Sequence, residues 1–157
     1  LDGTAYMKAE GAVYPDPNGP ITFEWDYWAI KWMQENIPGS PVIVEAVTPL
    51  YRWGARVSVY TGLPTVVGWP WHQMQQRWDD RHQVESRVAD VEELFITADL
   101  SRTMMLLEKY RVSYIYIGEQ ERLYYPSADM TKFDRMTGHG LELVYENPGV
   151  LIYLVRR

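Results

Sequence analysis

Trp25, Trp28, Ala29, Trp32 and Met33 fall at i, i+3, i+4, i+7 and i+8, the apolar stripe of one helical face. Glu24 and Asp26 occupy the first turn of that stretch, where the helix macrodipole favours carboxylates. The helix is expected to run to about Asn36, and Pro38-Gly39 to end it. Pro41 to Val47 is then a β-branched run after a turn, as in a buried strand. Gly54 to Thr61 fits a short helix before Gly62-Leu63-Pro64, and Thr65 to Gly68 a second strand. Trp71 to Trp78 is aromatic and glutamine-rich and is read as helical. Arg81 to Phe95 spaces Val84, Val88, Val91 and Leu94 or Phe95 along one helical side.

Asp99 is placed to cap a helix over Leu100 to Tyr110 that buries Met104, Leu107 and Tyr110. Val112 to Gly118 alternates like a strand and ends at glycine, and Ala128 to Met136 fits a short helix. Leu141 to Tyr145 and Val150 to Val155 flank Asn147-Pro148-Gly149, the turn of a closing hairpin. Residues 1–21 are dense in Gly and Pro, with Tyr14 to Pro20 almost all turn formers, and are expected to be an irregular opening segment. Residues 22–157 then form a single domain. Helices alternating with strands, followed by an antiparallel pair, predict a layered α/β domain around a mixed sheet.

A length of 157 residues allows one domain to bury its own core, and 46% hydrophobic with 23% charged residues is an ordinary globular balance. The net charge of −6 leaves no broad basic face for phosphates, so no nucleic-acid partner is expected. Without cysteine there are no disulfides, thiolates or the usual structural zinc sites. No apolar run is long enough to span a bilayer, so the chain as it stands is read as soluble. A start at Leu1-Asp2-Gly3-Thr4 and an end at Arg156-Arg157 fit a domain cut from a larger protein.

Candidate chemistry is sparse. Neither GxGxxG nor GxxxxGK[ST] occurs, there is no Gly-x-Ser-x-Gly elbow, and no cofactor, metal or catalytic residue is assigned. Asp79-Asp80-Arg81-His82 puts carboxylates near an imidazole, but matches no metal template and reads as a charged helix start capped by Asp79 or Asp80. Glu92-Glu93 and Glu119-Gln120-Glu121 are read as solvated surface, since neighbours on a helix do not face each other. His139, between Gly138 and Gly140, reads as a turn. The stretch from Tyr60 to Trp78 differs in kind. It combines the stacking faces of Trp69, Trp71 and Trp78 with His72, Gln73, Gln76 and Arg77, groups suited to a sugar or polar headgroup beyond a strand end. The alternative is a loop that plugs the core with tryptophans.

Asp26 to Trp32, Asn36 to Ala46, and above all Tyr60-Thr61-Gly62-Leu63-Pro64-Thr65-Val66-Val67-Gly68-Trp69-Pro70 with His72 resemble the C-terminal region of the Chlor_Arch_YYY membrane proteins. Tyr110 to Gly118 and Leu143 to Tyr153 fit the same pattern, so the resemblance covers nearly the whole chain. It implies a polytopic relative of glycosyltransferases that use lipid-linked sugars, with catalytic acids in the membrane portion and this chain as an extracytoplasmic accessory domain. The implied partners are the transmembrane portion of the same polypeptide and a glycan or lipid-linked sugar. The implied location is the cell membrane. Two other readings stand beside it: a free-standing carbohydrate or small-ligand binding module using the same loop, and a hydrolase built on His72 or His82 with nearby aspartates.

Overall fold

A computed structural model describes residues 3–156, the side chain of Trp78 excepted, so Leu1, Asp2 and Arg157 lie outside the described residues. The chain opens with a 3-10 turn at Ala5–Lys8 and a hairpin of β1 (Val13–Asp16) and β2 (Gly19–Thr22). Then follow α1 (Phe23–Asn36), β3 (Val42–Val44), α2 (Arg56–Thr61) and α3 (Pro70–Gln76). A 3-10 turn at Trp78–Asp80 leads into α4 (Arg81–Ile96), α5 (Leu100–Lys109), β4 (Val112–Ile117), α6 (Glu119–Tyr124) and α7 (Lys132–Arg135). Strands β5 (Leu141–Glu146) and β6 (Leu151–Val155) close the chain.

The main sheet has the order β3-β4-β6-β5, with β3 parallel to β4 and the other pairs antiparallel. Successive side chains of a strand point to opposite faces, which divides the core. Ile115, Ile117, Tyr153 and Val155 pack with Val91, Leu94 and Phe95 of α4, Leu106 and Leu107 of α5, and Phe133 of α7. Ile43, Tyr116 and Ile152 pack on the other side with Ala29 and Met33 of α1 and Val57 of α2. The result is a three-layer α/β/α domain around a mixed sheet, as the alternation of periods predicts.

Local signals explain several element ends. Asp99 Oδ1 accepts the Arg102 amide at 3.0 Å and caps α5. Asn147 Oδ1 accepts the amides of Gly149 and Val150 at 3.0 and 2.7 Å and fixes the β5–β6 turn. At the C-terminus of α4, Lys132 Nζ donates to the carbonyls of Leu94, Phe95 and Thr97 at 2.6–2.8 Å.

The opening segment departs from expectation, because the turn formers at 17–18 make a hairpin rather than breaking one. Pro15 pairs with Pro20, which a two-stranded ribbon tolerates since both of its strands are edges. The strand expected over 41–47 keeps only three residues. Beyond it the Ala46 amide bonds Glu121 Oε1 at 2.8 Å and the Val47 amide bonds the Tyr125 hydroxyl at 3.2 Å, so neither joins a ladder. The strand expected over 65–68 is reduced to a single bridge between Ile43 and Thr65. Helix α6 lies where the sequence reading has only an acidic surface run.

Candidate functional site

Parallel strands β3 and β4 end on the same side of the sheet, and the crevice beyond such ends is where ligands bind in open α/β sheets. Here residues 45–55 loop away from β3, and α3 stands against that loop. Between them lies a groove of about 440 Å³ whose walls include Leu50, Tyr51, Trp53, Val59, Tyr60, Trp69, Trp71, His72 and Met74. Trp69 Nε1 donates to the Gly54 carbonyl at 3.1 Å and ties the start of α3 to the loop. The rings of Trp69 and His72 lie 5.6 Å apart, tilted by 53°. The loop folds closely on itself: a Cβ at Gly54 would sit 2.2 Å from Thr48 Oγ1.

The structure divides the six sequence-predicted contact residues. Trp69, Trp71 and His72 line the aromatic groove. Gln73 and Arg77 instead line a separate groove of about 240 Å³ with Asp80, Gln83, Val84 and Arg87. Gln76 is exposed and lines neither. The cause is the turn of α3 itself, which fans its side chains around an axis that buries none of them. The side chain of Trp78 lies outside the described residues. Asp79, Asp80 and His82 are exposed, and Asp80 Oδ1 accepts from the Gln83 side-chain Nε2 at 3.0 Å rather than capping a backbone N–H of α4. No three His, Asp or Glu converge as a metal site among the described residues.

Behind the groove wall lies a constellation that the sequence reading missed. Arg56, 1% exposed, donates through Nε to Asp26 Oδ2 at 2.9 Å and through Nη1 and Nη2 to the two oxygens of Glu121 at 3.1 and 2.9 Å. Asp26 also accepts the Tyr116 hydroxyl. Glu45 accepts the Val57 and Ser58 amides at 2.9 and 3.0 Å, satisfying two free N–H groups at the start of α2. Glu121, read from the sequence as solvated surface, is fully buried, and so is Gln120 beside it. Glu92 is exposed as read, Glu93 pairs with half-buried Arg102, and Glu119 accepts the Thr22 amide at 2.5 Å. Asp26, read as a dipole partner for α1, is buried against Arg56 instead. One signal was available, a carboxylate at Glu45 directly after the apolar run Val42-Ile43-Val44.

Three carboxylates lie around this one guanidinium, and burial competes with it in setting their ionisation. Burial pushes Glu45 up to about 7, although Arg56 and the two amides pull the other way. Burial likewise raises Asp26 against the pull of Arg56 and Tyr116. For Glu121 burial is outweighed by Arg56 and by the amides of Ala46 and Gly118, and its carboxyl is held below the ordinary range. Burial alone would lower Arg56, but Asp26 and Glu121 reverse this and keep it charged. The guanidinium is thus held between Asp26 and Glu121, with Glu45 close by. Arg56 reaches the groove already paired with Asp26 and Glu121, and it offers little to an anion. The groove presents the stacking faces of Trp69 and Trp71 beside the His72 imidazole.

No protein-family profile matches the chain, and no curated protein matches it by sequence. Among solved structures its fold is similar to the C-terminal globular domain of an oligosaccharyltransferase from Archaeoglobus fulgidus, with a TM-score of 0.55. Identity is 15%, over 87% of this chain and 99% of that one. At that identity the likeness is one of fold. No helix among the described residues is long and apolar enough to cross a membrane.

Proposed function

We propose that the chain is an extracytoplasmic accessory domain of a polytopic membrane protein that resembles the lipid-linked-sugar glycosyltransferases, of the Chlor_Arch_YYY kind. It does no chemistry itself. Its aromatic groove recognises a glycan or acceptor, with Trp69, Trp71 and His72 as the contact residues, while Gln73, Gln76 and Arg77 serve the neighbouring face of α3. The transmembrane portion of the same polypeptide is its partner, and residues 22–157 are its domain.

The observation that carries this reading is the pairing of an open aromatic groove with a buried charge cluster that has no uncommitted acid or base to offer. The fold shared with an oligosaccharyltransferase domain supports the setting. Sugar rings present apolar C–H faces that stack on indole and phenol rings, and a groove with half-exposed Trp69 and Trp71 provides them.

The test is sugar transfer from a lipid-linked donor by the full-length protein, comparing native with the Trp71→Ala/His72→Ala pair. Transfer is expected to fall at least about tenfold with the fold intact, and the 157-residue chain alone to show none. Turnover by the chain alone contradicts the accessory role, and unchanged transfer by the double variant contradicts the groove's part in it.

A further inference from the structure

The rim of the aromatic groove has a chemistry unlike the rest of the molecule. The chain carries a net charge of −6, yet no carboxylate lines this groove among the described residues. Its charged lining groups are the neutralised Arg56 and also Arg52, whose guanidinium makes no ion pair among the described residues. Tyr51 is 94% exposed and Leu50, Val59, Trp69 and Trp71 are each about half exposed. Tyr51 stands at φ 59°, a left-handed conformation unfavourable for an aromatic residue, which the surrounding loop must enforce. The fold thus spends stability on projecting an apolar tip into solvent.

We propose that this tip, Leu50 and Tyr51 flanked by Arg52 and backed by Val59, Trp69 and Trp71, rests on the headgroup layer of a phospholipid bilayer. Tyrosine and tryptophan, with apolar bodies and polar edges, suit the membrane–water boundary. Arg52 supplies a cation for lipid phosphate, and the groove lining sets no carboxylate beside it among the described residues. The bilayer contact stands without the function proposed above. Its purpose rests on that function: docking this way lowers the groove to the level at which a lipid-linked sugar is presented.

Co-sedimentation of the chain with phosphatidylcholine vesicles tests the contact. Native protein is expected to pellet with vesicles, Leu50→Ser/Tyr51→Ser to bind roughly tenfold more weakly, and Arg52→Glu to bind several-fold more weakly. Met105→Ser removes another exposed apolar side chain, on α5 and outside the groove, and is expected to bind as native. These positions are exposed, so the variants fold. No vesicle binding by the native chain overturns the proposal. So does equal loss in Met105→Ser, or a self-associated native chain that Leu50→Ser/Tyr51→Ser converts to monomer. Vesicle binding that follows this pattern, together with unchanged transfer by Trp71→Ala/His72→Ala, would leave the membrane contact standing and sink only the recognition role.

Discussion

Arg56 and Glu121 lie 65 residues apart in the chain and meet in a two-pronged ion pair at 3.1 and 2.9 Å, both side chains wholly buried. Through Asp26 and the amides that Glu121 accepts, the pair fastens α1, α2, the end of β3 and the start of α6 to one point behind the groove. Removing the cation strands buried carboxylates. Arg56→Met is expected to cost about 3–5 kcal/mol, read as a lower urea midpoint at unchanged slope.

Gly118 leaves room for this pair. A Cβ there would lie 2.7 Å from Arg56 Nη2, 3.1 Å from the Tyr116 ring and 3.2 Å from Glu121 Oε2. Gly118→Ala is expected to destabilise by about 1–3 kcal/mol even though it adds a single methyl group.

Glu45 ties stability to pH. Its carboxyl is raised from an ordinary 4.5 to about 7, so between those values the folded chain holds a proton that the unfolded chain has released. Stability from this group is complete below about pH 4.5 and is lost as pH rises through about 7. Asp26 acts in the same sense, and Glu121, held low, acts oppositely at the acid end. Denaturation between about pH 5 and pH 8 is expected to show stability falling by on the order of a few kcal/mol, and Glu45→Gln to flatten the slope.

How much of this was legible in the sequence depends on range. Asp99 announces its cap because its partner is three residues away, and Asn147-Pro148-Gly149 announces the hairpin for the same reason. The stripe from Trp25 to Met33 gives α1, and even there the role of Asp26 is not local, since its partner is 30 residues distant. Glu121 looked like surface because nothing near it in the chain signals Arg56. Trp69, Trp71 and His72 were found by composition, but α3 turns Gln73 and Arg77 into another groove. No motif could foretell that division.

Lys132 closes the end of α4. Burial lowers its ammonium to about 8, so it stays charged at neutral pH and donates to three carbonyls. Lys132→Met leaves those acceptors without a donor and is expected to cost roughly 3 kcal/mol in thermal or urea unfolding.

The groove wall should matter for binding far more than for folding. Trp71 is half exposed with no side-chain hydrogen bond among the described residues, and Trp71→Ala is expected to shift stability by less than about 0.5 kcal/mol. Trp69→Phe deletes the bond to Gly54 and is expected to cost about 1 kcal/mol. Calorimetric melts of the two variants check the contrast.

Recognition by the aromatic groove is tested most directly by an NMR titration of the chain with neutral disaccharides, chitobiose and mannobiose. The predicted result is saturable shifts at the Trp69 and Trp71 indole N–H and the His72 ring, with Gln73 and Arg77 little changed. Shifts confined to the Gln73 and Arg77 groove, or none up to millimolar sugar, would contradict it.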